Sequence, residues 1–248
     1  MQLHIYKDSP ELIEELAKWM TSYINQTLQK NERFTIALSG GETPKALYRL
    51  LATDAYRNKI DWNKMYIFWG DERVVPITDD SNNAKMAFEA LLNKVKVPLE
   101  NIHIMRTDIY PDLAANEYEK LLYKYFEKQE TTFDLVLLGM GKDGHTLSLF
   151  PASSILQDEQ HWVNAVYLED QKMYRITLMP SVVNKAAAVV FLVTGSEKAK
   201  VLKEVLNDVV QTEHHPAQLI QPLNGELHWF VDKAAAADLE SEIPDKIP

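Results

Sequence analysis

The chain contains no cysteine. Disulfides, thiolate metal ligands and a thiol nucleophile are therefore excluded. It also lacks an excess of cations: 26 Lys and Arg face 36 Asp and Glu, for a formal net charge of -10. No basic stripe is available to neutralise the phosphates of a duplex, so a nucleic-acid partner is not expected. A small anionic ligand stays possible, because a few local cations and backbone N–H groups suffice for one phosphate. No run of about 18 apolar residues occurs, so a membrane partner is not expected either. The N-terminal segment from Met1 to Glu15 carries charges where a signal peptide needs an apolar run. The expectation is a cytoplasmic protein, either a monomer or a small homo-oligomer. No Gly/Ser-rich or Pro-rich linker and no internal repeat divides the sequence.

What is present is an ordinary globular balance, 46% hydrophobic and 25% charged over 248 residues. That length suits one α/β domain covering residues 1–248, with two small domains as the less favoured division. Leu12, Leu16, Trp19, Tyr23 and Leu28 recur at helical spacing behind Ser9-Pro10. Short apolar strands are predicted at Phe34–Leu38 and Met65–Trp69, and at 133–138, 162–166, 175–178, 189–193 and 228–231. Helices are predicted at 45–52, 82–92, 112–126, 196–206 and 233–239. In the helix at 112–126, Leu113, Leu121, Leu122 and Tyr125 form the expected buried face. The segment 133–138 is the most apolar strand and should be central. Strands alternating with helices predict a doubly wound, mostly parallel α/β sheet with helices on both faces, a Rossmann-like fold. Ligands of such sheets bind beyond the carboxyl ends of the strands. The loops at 39–44, 70–76 and 139–151 all follow predicted strands.

The first loop, Ser39-Gly40-Gly41-Glu42-Thr43-Pro44, joins a strand to a helix. Its glycines permit positive φ and close ligand approach, Thr43 suits an N-cap, and Pro44 suits the first helical position. From the loop alone, a phosphate site and a ligand-free turn stand equally. Gly139-Met140-Gly141-Lys142-Asp143-Gly144 matches the dinucleotide fingerprint G-x-G-x-x-G. That reading needs an acidic residue at a strand end about 20 positions later. Asp158 and Glu159 lie in a polar loop instead, which disfavours it. Asp143 and His145, two positions apart, share a side if the segment is extended. A carboxylate beside an imidazole fixes its tautomer and stabilises its cation, suiting general acid–base work near neutral pH. Gly70-Asp71-Glu72-Arg73 reads either as a surface turn or as an anion-binding strand end through Arg73. Arg175 lies inside a predicted strand, where a cation needs a partner. The histidines form no metal set, and Ser39 and Ser148 are not in a nucleophile elbow. No metal and no cofactor are expected.

Taken in order, SGGETP at 39–44, GDERVVP at 70–76, DLVLLGMGKDGHTLSLFP at 134–151, YRITL around Arg175, GSEKA around Lys198 and the late GELHWFVDKAAA span nearly the whole chain. Together they resemble the 6-phosphogluconolactonase family, within a group that includes glucosamine-6-phosphate deaminases. The deaminases resembled carry Asp-Glu-Tyr where this chain has Asp71-Glu72-Arg73. They also carry a ring-opening glutamate where it has Phe150. One departure from the lactonases is Leu147, where alanine is frequent. The resemblance implies that Ser39, Gly40, Gly41, Thr43, Arg175 and Lys198 surround a 6-phosphate. It implies that His145 is a general base oriented by Asp143, with Arg73 and Asp71 at the substrate. The implied reaction is hydrolysis of 6-phospho-D-glucono-1,5-lactone to 6-phosphogluconate in the oxidative pentose phosphate pathway, so the expected partner is a phosphorylated sugar lactone. The alternatives are an isomerase or deaminase of an amino-sugar phosphate, and a non-catalytic sugar-phosphate sensor.

Overall fold

A computed structural model describes residues 1–207 and 209–240. Its strands are β1 (Gln2–Tyr6), β2 (Phe34–Leu38), β3 (Met65–Trp69), β4 (Asp71–Arg73), β5 (Leu135–Gly139), β6 (Val163–Leu168), β7 (Met173–Leu178), β8 (Ala188–Val193) and β9 (Glu226–Asp232). The α-helices are α1 (Ser9–Leu28), α2 (Glu42–Leu51), α3 (Asp54–Arg57), α4 (Asn83–Ala90), α5 (Pro111–Phe126), α6 (Pro180–Val183), α7 (Ala199–Asn207) and α8 (Ala237–Glu240).

The six-stranded sheet runs β1-β9-β8-β5-β2-β3, and every pairing in it is parallel. Strand alternation divides its side chains between two layers. Ile36, Leu38, Leu135, Leu137, Val190 and Leu192 pack with α1, α2 and α4. Ala37, Val136, Leu138, Val189, Phe191 and Val193 pack on the opposite face with α5 and α7. The sheet is thus doubly wound, and β5 is central as expected. From β2 the chain winds outward to β3, then returns to β5 on the other side of β2. That reversal opens a crevice beyond the strand ends between β2 and β5.

Local signals explain the boundaries. The helix α1 starts at Ser9-Pro10 and is capped by Asp8, whose carboxylate accepts from Glu11 N at 3.0 Å, while Glu11 in turn accepts from Lys7 N at 2.6 Å. The Glu42–Leu51 helix starts one turn earlier than predicted, with Gly41 as its cap at φ 102 and no side-chain capping bond. Thr43 is therefore inside the first turn and is not the N-cap. In α5 the buried face is Ala114, Ala115, Tyr118, Leu122 and Phe126. Leu113 is 49% exposed, a correction to the face predicted for it. Residues 233–236 are turns, so of the helix predicted at 233–239 only the last three residues are helical, within Ala237–Glu240.

Two strands escaped prediction. Gln2–Tyr6 is an edge strand paired only with β9, and the charged Asp71–Arg73 pairs antiparallel with β7. The predicted strands near 163 and 175 do not join the main sheet. They form a separate antiparallel sheet, β4-β7-β6. Leu178 N donates to Gly70 O at 2.8 Å, and Gly70 N to Leu38 O at 2.9 Å. Those bonds fasten the small sheet over the carboxyl end of the large one.

Candidate active site

The carboxyl ends of β2, β5 and β8, the loops that follow them, and β4 and β7 meet at a cavity of about 610 Å³. Its walls include Ser39, Gly40, Gly41, Thr43, Asp71, Arg73, His145, Arg175 and Lys198. Asp143 stands behind His145. The sequence-predicted residues are therefore brought to one place.

On the β2 side, Tyr48 of the following helix pins the loop, accepting from Ser39 N at 3.0 Å and donating to Ser39 O at 2.9 Å. Gly41 occupies a positive-φ conformation. A Cβ on Gly40 would collide with the Asn83 side chain, so only glycine lets the loop lie against α4. The Thr43 hydroxyl meets that of Thr194, past β8, at 3.0 Å. With no capping side chain at the start of α2, its first N–H groups face the cavity end of the helix, where an anion is favoured.

The loop after β5 turns sharply. Gly141 N donates to His145 O at 2.8 Å, Gly144 N to Gly141 O at 3.2 Å, and Gly144 has φ 78. Asp143 and His145 meet, but a turn and not an extended segment brings them together: His145 Nδ1 lies 2.6 Å from Asp143 Oδ1. Asp143 also accepts from His145 N at 3.2 Å. Partial burial raises the Asp143 carboxyl, but the His145 hydrogen bond and charge outweigh it and hold it at about 2. An ionised carboxylate at Nδ1 selects the tautomer with the proton on Nδ1, leaving the Nε2 lone pair free. Phe150 stacks on the ring at 4.2 Å between centroids and 28° between planes. Lys198 reaches the same loop, its Nζ donating to Met140 O at 2.8 Å; burial lowers its ammonium from the ordinary value.

The small sheet supplies the guanidiniums. Arg73 and Arg175 are direct cross-strand partners in the β4–β7 pairing. Like charges placed so are mutually unfavourable. Burial, then the charge of Arg73, pushes Arg175 below its ordinary value. Arg73 Nη1 donates to Ser81 O at 2.9 Å and Asn83 Oδ1 at 2.6 Å. The Nε atoms of both arginines are buried without a hydrogen-bond partner. Paired, desolvated cations opening on a cavity form a site for an anion. Asp71 accepts from Ser148 Oγ at 2.7 Å, and its carbonyl accepts from Asn83 Nδ2 at 2.9 Å.

Residues 7–229 match the family described as glucosamine-6-phosphate isomerases/6-phosphogluconolactonase. The chain belongs to that family. Within the glucosamine-6-phosphate isomerase/6-phosphogluconolactonase family, a 6-phosphogluconolactonase from Nostoc sp. is 37% identical over 241 residues, covering 96% of this chain and 98% of its own. A 6-phosphogluconolactonase structure from Trypanosoma cruzi superposes with a TM-score of 0.83 at 28% identity, over 96% of both chains. A monomeric glucosamine-6-phosphate deaminase shares the fold, with a TM-score of 0.81 at 17% identity over 96% of this chain and all 100% of its own. The fold is thus common to both branches of the family, and the residues in the cavity must discriminate them.

Sequence reasoning missed several residues that build this family site. Glu72 is 1% exposed and accepts from Arg73 N at 2.8 Å, Asn83 N at 2.7 Å and Ala84 N at 2.8 Å. It thereby clamps the N-terminus of α4 beside the cavity. Asn83 links Gly40, Asp71 and Arg73, and Gln171 touches Arg175. No local signal marked Glu72: its burial follows only once Asp71–Arg73 is a strand, whose middle side chain points to the face opposite the two that line the cavity.

Proposed function

We infer that this chain hydrolyses 6-phospho-D-glucono-1,5-lactone to 6-phosphogluconate, the lactonase step of the oxidative pentose phosphate pathway. The observation that carries the reading is the 37% identity, over nearly all of both chains, to a 6-phosphogluconolactonase. The cavity supports it: Arg73 and Phe150 stand where the deaminase pattern requires a tyrosine and a ring-opening glutamate.

In this reading His145 Nε2 takes a proton from water, and the hydroxide attacks C1 of the lactone. The tetrahedral intermediate collapses with cleavage of the bond from C1 to the ring oxygen. The imidazolium returns the proton to that oxygen, leaving a hydroxyl and a carboxylic acid, which loses its own proton to solvent to become the carboxylate. General acid–base help of this kind is worth about 10²–10⁴-fold. Asp143 holds the tautomer and stabilises the transient cation. Arg73 meets the substrate near the developing oxyanion, and Asp71, fixed by Ser148, faces its hydroxyls. The 6-phosphate rests beside Ser39 on the amides of Gly40, Gly41 and Thr43 with Arg175 and Lys198, so binding energy remote from C1 positions the ester. No cofactor enters the cycle.

The same reading takes residues 1–248 as one domain, since both sheets feed side chains into one cavity. It sets the protein in the cytoplasm, as a monomer or small homo-oligomer; among the described residues no helix is long and apolar enough to cross a membrane. A coupled assay with freshly generated lactone, corrected for spontaneous hydrolysis, tests it. Turnover above background is expected. Ammonia release from an amino-sugar phosphate, or tight ligand binding without turnover, would replace it with a deaminase or a sensor.

A further inference from the structure

Arg175 is 7% exposed, faces Arg73 across the strand pair, and forms no ion pair with a carboxylate among the described residues. A buried guanidinium needs compensation. What it has is the side-chain oxygen of Gln171, which accepts from Arg175 Nη2. Gln171 ends the short 3₁₀ turn Glu169–Gln171 that joins β6 to β7, and Lys172, in the left-handed region at φ 50, closes it. Of this turn, Glu169 and Asp170 are exposed acids without an ion pair to the guanidinium, while the one neutral member lines the cavity and bonds to it. The turn thus offers two carboxylates within two residues of Gln171 and presents neither to Arg175.

We propose that Gln171 is a specificity-determining residue: its neutral amide oxygen holds Arg175 toward the cavity and yields that guanidinium to the substrate phosphate. The inference rests on the reading that Arg175 binds the phosphate. A neutral amide offers the guanidinium one acceptor oxygen and no opposing charge, whereas a carboxylate in its place adds an ion pair and a second acceptor for the bidentate geometry that arginine prefers. Being tethered, such a carboxylate acts at an effective concentration on the order of mM. It would occupy Arg175 in competition with the dianion. The amide therefore selects for a phosphorylated ligand by leaving its cation uncommitted.

The test is a pair of variants, Gln171→Glu and Gln171→Ala, assayed for lactone hydrolysis and for competitive inhibition by inorganic sulfate. Gln171 is exposed, so neither change touches the core. Gln171→Glu should raise KM and the sulfate inhibition constant together by about tenfold, with kcat within about twofold, the pattern of lost uniform binding. Gln171→Ala should raise either constant by no more than about threefold, because the lost hydrogen bond orients Arg175 without opposing its charge, and the anion itself can replace it. Parental KM in Gln171→Glu, or an alanine variant as impaired as the glutamate variant, overturns the role of the neutral amide alone. A parent that hydrolyses lactone but is not competitively inhibited by sulfate removes the phosphate-site assignment and the inference with it. A parent with no lactonase activity removes the functional reading beneath both.

Discussion

At His145 the ring is fixed from several sides: Asp143 at Nδ1, the face of Phe150, and the backbone of Gly141, where a Cβ would collide with the imidazole and with Asp143. A side chain so constrained is preorganised, which favours a catalytic role over a loop-shaping one. His145→Asn should reduce kcat by about 10²–10⁴-fold while leaving KM near the parental value, since the phosphate is held elsewhere. Near-parental kcat in a folded His145→Asn protein would refute the general-base role. Gly141→Ala should also lower kcat, on the order of 10²-fold, because a displacement of about 1 Å suffices for that. An unchanged rate there would mean that the ring position does not matter. The identity of the pair was legible from Asp-x-His after a central strand; its geometry was not. The turn depends on Gly144 at φ 78, which the letter sequence permits without requiring.

Among elements, the contact between β4 and α4 decides how the cavity wall is held. The β4 strand is three residues long and all charged, so no propensity marks it as a strand. It is ordered by pairing with β7 about a hundred residues later, and by Glu72 bonding to the first N–H groups of α4. Those are non-local facts, and for that reason β4 and its pairing with β7 were illegible, while the strands at 162–166 and 175–178 and the apolar runs of the large sheet were plain. At the edge, β1 alternates exposure and lacks the continuous apolar run that marks β5 and β8. Burial pushes the Glu72 carboxyl up to about 7 from 4.5, against the pull of its backbone N–H bonds. A carboxyl raised in the fold binds its proton more tightly folded than unfolded. Its favourable contribution is therefore complete below the unfolded value and is lost as pH rises through the folded one. The stability of the parent relative to Glu72→Gln should fall as pH rises from 4.5 to about 7, then level off. Urea unfolding of both proteins across that range measures it. A difference independent of pH would show that Glu72 is already ionised at the helix terminus throughout.

For the whole molecule, the division of labour runs between the two sheets. The six-stranded sheet supplies the glycine loop, the His145 turn and Lys198, while the three-stranded sheet supplies Arg73 and Arg175. Substrate must bridge them, so a dianion bound in the cavity ties the small sheet to the large one. No group of three or more His, Cys, Asp and Glu among the described residues is placed to hold a metal ion, and exhaustive chelation should leave turnover intact. Activity lost to a chelator and restored by one divalent ion would defeat that expectation. Anion binding has a sharper consequence. A ligand that binds only the folded state stabilises it by about 2.7 kcal/mol at one hundred times its Kd. For a chain of 248 residues that corresponds to a rise in Tm of about 5–10 °C. Inorganic sulfate should produce such a rise in the parent and in His145→Asn, because the imidazole acts on water and the ring oxygen and not on the phosphate. Arg175→Ala and Lys198→Ala should each lose most of it, Arg175→Ala more, since its guanidinium is the more deeply buried and opens on the cavity with an unpartnered Nε. Thermal unfolding of the four proteins with and without sulfate separates the assignments. If His145→Asn lost the sulfate response while Arg175→Ala kept it, the anion would sit at the catalytic end of the cavity. The phosphate and the ester would then have to exchange places, carrying Arg73 from the carbonyl to the phosphate.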